Sequence, residues 1–287
     1  MTGSGSIWLE QMLHQGYCII PDAVPPETVA ALECDLDPVF AATPMGQGHF
    51  YGYRTKRFGG LLHRSAHAQA FVMAPAILAM VDTVLGSACD RIQLNVAQAI
   101  EIHPGEPAQF PHRDHDMWPG AKGEHEYLVN VMWPLTPFTA ENGATRIYPF
   151  SHGPQGMAKT DPGEPIVAER PPGSAICFLG STVHGAGANT GSVARRGIIV
   201  GYSLGWLKPY ENLWLSYPPA IARHFPPELA ALVGYVQHRP NLGNYEGQCP
   251  SVLLGNDVPR HLGAVDALRP DQSELLAGYV AAMEGSR

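Results

Sequence analysis

Charged side chains are scarce: Asp, Glu, Lys and Arg make up 15% of the 287 residues, against about 25% in an average soluble domain. Basic residues are the rarer sign, 18 Lys and Arg against 26 Asp and Glu, for a formal net charge of −8. The one basic run, Arg54-Thr55-Lys56-Arg57, is short and lies among aromatics and glycines. These features exclude an electrostatic nucleic-acid surface or an anionic-membrane surface. The five cysteines (Cys18, Cys34, Cys89, Cys177, Cys249) are scattered, odd in number and never spaced C-x-x-C. Neither a disulfide framework nor a zinc knuckle is expected, and a reducing cytosol fits best. Long apolar runs are also missing. The longest, Ala70 to Val81, is interrupted by Pro75 and falls short of the ~20 residues of a membrane span. Met1–Ser6 has no basic segment leading into an apolar one, so no secretory signal is read. There is no internal repeat, low-complexity tract, G-x-G-x-x-G or P-loop. The expectation is a soluble, cytoplasmic protein with neither nucleic acid nor membrane as partner.

What is present is a 45% apolar chain, long enough to bury a large core without staples. Its first third reads mainly as helix. Ile7–Gln15 is amphipathic and closes at Gly16, Tyr17–Ile20 is β-like, and Pro25-Pro26-Glu27 opens a helix to about Phe40. Proline and acid in a first turn suit its free N–H groups. Residues 41–63, rich in glycine and aromatics, read as a long loop, and Ala66–Leu85 as helix broken near Pro75. From Arg91 the pattern turns to short β runs: Arg91–His103, Tyr127–Leu135, Ala144–Tyr148, Ser174–Phe178 and Gly197–Leu204. Turn signals at Pro104-Gly105, Glu141-Asn142-Gly143, Pro172-Gly173 and Asn189-Thr190-Gly191 space them as in a sandwich or barrel. A further helix is read at Pro227–Val236. The expected plan is one domain over 1–287: a helical part at about 7–90, a β core at about 91–207 and a helical and loop extension at 208–287.

Thirteen histidines make any single one uninformative, so spacing decides. His112-Arg113-Asp114 follows a strand-like run, and on an extended chain residues i and i+2 share a face. His112 and Asp114 would point together and Arg113 away. His184 follows the strand Ser174–Phe178. Two imidazoles and a carboxylate on one face of a metal form the triad of non-haem Fe(II) oxygenases, which leaves positions open. His115 and Asp116 are adjacent and would face opposite sides; His103, His125 and His152 have no partner at i+2. Eleven residues beyond His184 stands Arg195, a guanidinium able to grip the far carboxylate of a 2-oxoacid bidentately. Arg196 is adjacent, and alternation would point only one of the two inward. The aromatics Phe50, Tyr51, Tyr53 and Phe58, with Arg54 and Arg57, suit a lid over an apolar substrate bearing a polar group.

The ordered set His112-Arg113-Asp114, Glu141-Asn142-Gly143-Ala144-Thr145, Phe150-Ser151-His152, Pro172-Gly173-Ser174 and His184 to Asn189 followed by Arg195 resembles the phytanoyl-CoA dioxygenase family. Gly16-Tyr17-Cys18-Ile19-Ile20-Pro21-Asp22 resembles that family's N-terminal signature, and the likeness runs from about residue 7 to 207. The tail from Pro227 to Pro250 is similar to the branch that oxidises alkaloids and meroterpenoids in secondary metabolism. The resemblance implies a mainly β chain with flanking helices, a double-stranded β-helix (jelly roll, cupin-like). It implies Fe(II), 2-oxoglutarate and O2 as cofactor and cosubstrates, with His112, Asp114 and His184 on the metal and Arg195 on 2-oxoglutarate. Gln98 matches a glutamine that touches the 2-oxoglutarate or the iron-bound region, Trp118 matches an aromatic at the pocket wall in some members, and Thr145 is a candidate to hydrogen-bond the cosubstrate. Phe150 replaces a usual glycine, and Ala186 replaces a frequent serine, removing one hydroxyl donor.

The implied activity is oxidation of an unactivated C–H bond of a small organic substrate, by hydroxylation, desaturation or rearrangement, with release of succinate and CO2. Two alternatives stay open from the residues: a zinc hydrolase on the same triad, and a non-catalytic jelly roll that binds a small molecule. Arg195 weighs against the first, since hydrolysis needs no such anchor. The substrate is not legible, and a homodimer is left open by the likeness to the secondary-metabolism branch.

Overall fold

A computed structural model describes residues 4–285. They form two compact units that part between Ser216 and Tyr217. In the first, α1 (Ser4–Gln15) leads into β1 (Tyr17–Ile20) and α2 (Pro26–Ala42), followed by β2 (Thr55–Phe58). Three short helices come next: α3 (Leu61–Arg64), α4 (Ala68–Val72) and α5 (Pro75–Leu85). The β core follows as β3 (Ile92–Ile102), β4 (Leu128–Pro134), β5 (Thr145–Ile147), α6 (Gly153–Met157), β6 (Ile166–Val167), β7 (Ala175–Leu179), β8 (His184–Ala186) and β9 (Arg195–Leu204), and α7 (Leu213–Ser216) closes the unit.

Two antiparallel sheets make the jelly roll, one of six strands in the order β1-β7-β4-β9-β3-β2 and one of three in the order β6-β5-β8. Their facing sides meet in an apolar layer of Ile100, Met132, Ile147, Ile176 and Phe178. Every residue of β4 and β7 is buried, as expected where helices cover a sheet's outer face. By composition alone Ala68–Ala88 has the length and apolarity to cross a membrane. In the fold it is broken ahead of Pro75, and α5 lies on β3, β4 and β9 with Ile77, Met80, Val81 and Leu85 buried. Gly16 is needed where it stands. Its φ is +89°, and a Cβ there would come within 2.6 Å of Thr182 Oγ1.

The strands read from the sequence all form, shifted by a few residues at their ends. Thr55–Phe58 is a correction, because it lies inside the expected loop 41–63 yet pairs with β3, Thr55 opposite Ile102. Its TKRF sequence lacks the apolar alternation that marks a strand, and pairing at a sheet edge supplies what propensity does not. The three-residue β8 was likewise too short to read.

The second unit holds α8 (Pro219–Ala222), α9 (Pro227–Leu232) and α10 (Pro270–Gly285). The helix expected at Pro227–Val236 stops at Leu232, ahead of Gly234 with its φ of +103°, and the Tyr235 hydroxyl donates to Tyr217 O at 2.8 Å. The long α10 was not read from the sequence, and none of its residues is buried.

Candidate metal centre

The two expected histidine ligands are cross-strand partners. His112 and His184 exchange both backbone hydrogen bonds at 3.0 Å, which sets their side chains on one face. Each imidazole then bonds a carbonyl two residues back, His112 Nδ1 to Phe110 O at 2.8 Å and His184 Nδ1 to Thr182 O at 3.1 Å. A carbonyl only accepts, so Nδ1 carries a proton in both rings and Nε2 is the nitrogen turned toward Asp114. Both Nε2 atoms face Asp114: His112 lies 3.3 Å from Oδ1 and His184 lies 3.4 Å from Oδ2. One ligand atom from each of the three residues falls within 4.8 Å of the others. Arg113 points the other way, as its position between the two ligands requires, donating to Ser181 O, Ser151 O and Gly156 O.

Burial would raise the Asp114 carboxyl, but His184 and His112 outweigh it and hold the group well below the usual carboxylate range. Burial would lower the His112 imidazole, and the Asp114 carboxylate reverses this and raises it. Two imidazole nitrogens and one carboxylate converging on a point suit a divalent transition metal, with one face of its coordination sphere free.

That open side faces a cavity whose lining includes Arg195, Gln98 and Thr145. Alternation along β9 points the two arginines to opposite sides. Arg196 faces outward, donating to Glu101 Oε2 at 2.6 Å and Asp37 Oδ1 at 2.8 Å. Arg195 faces inward and is 2% exposed, its guanidinium 4.0 Å above the Phe138 ring. Its Nε and Nη1 have no hydrogen-bond partner among the described residues. Burial and the like charge of Arg57 push it down to about 9, still cationic at neutral pH. A buried, unpaired cation on a cavity wall is costly until an anion meets it, and its fork fits a carboxylate.

Gln98 faces the cavity and accepts from Arg57 Nη1 at 3.3 Å. Thr145 is buried on β5 opposite Ala186. Trp118 is a correction. It is absent from the cavity lining, and its indole N–H donates to Lys208 O at 2.8 Å. The cause is a 3₁₀ turn at Asp114–Met117. Such a turn eclipses residues i and i+3, so Met117, not Trp118, shares the cavity with Asp114. The other histidines lie elsewhere: His103 on Glu101 at 2.6 Å, His152 on Leu13 O at 3.1 Å, and His125 exposed.

Four polar residues of the cavity lining went unread as site residues. Gln109 bridges Phe50 O and Ala186 N, Tyr210 bonds Tyr51 through their hydroxyls at 2.6 Å, and Asn95 and Asn130 complete the set. Arg57, expected only in a lid, sits in the cavity itself beside Phe50 and Tyr51.

Sequence comparison decides the family. The phytanoyl-CoA dioxygenase (PhyH) description matches residues 12–197. The chain belongs to the phytanoyl-CoA dioxygenase family. It is an enzyme of the dioxygenase type, similar to dioxygenase olcK of Penicillium canescens, at 30% identity over 81% of this chain and 82% of that one. It is also 28% identical to multifunctional dioxygenase prhA of Penicillium brasilianum, over 87% of this chain and 89% of that one. Among solved structures, the epimerase SnoN in complex with Fe3+, α-ketoglutarate and nogalamycin RO superposes with a TM-score of 0.60 at 18% identity, covering 75% of this chain and 90% of that one. At that identity the likeness is one of fold.

Proposed function

We propose that this family member is an Fe(II)- and 2-oxoglutarate-dependent dioxygenase that oxidises an unactivated C–H bond of a small organic substrate. The single observation that carries the reading is that a His-Asp-His cluster and an unpaired buried arginine share one cavity. His112, Asp114 and His184 would hold the iron, and Arg195 would bind the distal carboxylate of 2-oxoglutarate. Bound iron, with 2-oxoglutarate and O2, supplies an oxidant for the C–H bond while 2-oxoglutarate goes to succinate and CO2. The protein's part is positioning and water exclusion. Phe138 beneath the Arg195 guanidinium keeps that charge out of water, which strengthens its attraction for a carboxylate. Phe50, Tyr51, Met117 and Tyr210 form an apolar, aromatic rim suited to a substrate that is largely hydrocarbon with few polar groups. SnoN, which carries Fe3+ and α-ketoglutarate on the same fold, supports the choice of metal and cosubstrate. A zinc hydrolase on the same triad leaves Arg195 without a purpose.

The test is succinate formation from 2-oxoglutarate with Fe(II) and air, against a panel of apolar polycyclic substrates. Substrate-stimulated succinate with a product heavier by one oxygen or lighter by two hydrogens supports the reading. Hydrolytic products with Zn(II), and no succinate, would replace it.

A further inference from the structure

Asn130 is a polar residue in a strand that is otherwise apolar and wholly buried, L-V-N-V-M-W-P. It is 1% exposed and stands at the centre of the six-stranded sheet, opposite Phe178 of β7 and Gly201 of β9. A buried amide is costly unless hydrogen-bonded. Among the described residues its one side-chain partner is Asp114, with Nδ2 donating to Oδ2 at 2.9 Å. The orientation is not ambiguous, because a carboxylate only accepts and the amide must present its nitrogen. The other end of the amide has room because residue 201 is glycine: a Cβ there would lie 2.9 Å from Asn130 Oδ1.

We infer that Asn130 is a positioning residue for the metal centre. It fixes the rotamer of Asp114 by holding Oδ2, which lies 3.4 Å from His184 Nε2, and leaves Oδ1, 3.3 Å from His112 Nε2, as the oxygen with no amide on it to offer the metal. Asp114 opens a 3₁₀ turn, and apart from the two imidazoles this amide is the side chain that holds its carboxylate. A carboxylate limited to one oxygen occupies one coordination position, and the remaining open positions stay available to 2-oxoglutarate and O2. Outer partners of metal ligands act in this way, and their loss typically costs ~10–100-fold in metal affinity.

The inference rests on the metal reading above, and the experiment separates the two. Co(II), a redox-stable probe, is titrated into the full-length wild type, Asp114→Ala and Asn130→Leu, and the melting temperature of each metal-free protein is recorded. Leucine keeps the volume and removes the donor; Asn130→Ala replaces it if the leucine variant does not fold. The expected result is Co(II) affinity ~10–100-fold weaker in the Asn130 variant, larger than any change its melting temperature reports. A merely structural role would lower the melting temperature and leave the affinity of the folded protein alone, so a loss under tenfold overturns the inference while the metal reading stands. Wild type binding Co(II) no better than Asp114→Ala would overturn both.

Discussion

Arg195→Ala removes the buried cation proposed to anchor 2-oxoglutarate. Arg195 is 2% exposed, two of its nitrogens have no hydrogen-bond partner among the described residues, and Arg57 adds a like charge. With a 2-oxoglutarate carboxylate on it, the pair would be buried and bidentate, and breaking such a pair from one side typically costs ~3–5 kcal/mol. At ~1.4 kcal/mol per tenfold, 2-oxoglutarate binding should weaken by roughly a hundred- to several-thousand-fold. The assay is anaerobic calorimetric titration of 2-oxoglutarate into the metal-loaded protein. Metal affinity should be unchanged, since the three ligands are untouched. Arg195→Lys should recover only part of the loss, because an ammonium lacks the planar fork. The ligand-free protein gives a second readout: Arg195→Met removes an uncompensated buried charge and should leave its melting temperature unchanged or higher. Arg196→Ala is the control, losing ion pairs to the buried Glu101 and the exposed Asp37 while binding 2-oxoglutarate almost normally. Binding by Arg195→Ala within threefold of wild type would refute the anchor.

Two further outcomes follow from the packing. Burial would raise the Glu101 carboxyl, but Arg196 and His103 outweigh it and hold it below its ordinary value of 4.5. A depressed carboxyl stabilises the fold above that value and loses the contribution as pH falls through the folded value. The melting-temperature gap between wild type and Glu101→Gln should therefore be open at neutral pH and close in acid; a gap that persists there contradicts the assignment. Trp118→Phe should cost ~0.5–1.5 kcal/mol through the lost bond to Lys208 O and leave 2-oxoglutarate affinity unchanged, whereas a tenfold weaker affinity would return this residue to the cavity wall.

Strand alternation made the centre of this site readable. Period two put His112 and Asp114 on one side with Arg113 on the other, while the spacing from His184 marked Arg195 with Arg196 one residue away. Choosing between them needed the register of β9 against β3, where Ile102 faces Arg195 and Glu101 faces Arg196. Trp118 was placed by the family resemblance alone, and the 3₁₀ helix at Asp114–Met117 turns it away from the cavity. Arg57, Gln109 and Tyr210 reach the cavity from segments far apart in sequence, which no local pattern joins. Asn130 did leave a signal: one amide in a strand of apolar residues is an anomaly with a physical cost, and its partner shows why it is there. The helix at Pro270–Gly285 also had a start signal, proline followed by Asp271, but no apolar stripe that packs, and it lies exposed.

The most direct test of the shared site is anaerobic titration of the protein with Fe(II) and then 2-oxoglutarate, following the visible absorption a 2-oxoacid gives when it chelates Fe(II). The account predicts an absorption that needs both additions, saturates at one iron per chain, and is lost in His112→Ala and His184→Ala. No such absorption in wild type, or its survival in both histidine variants, would contradict it.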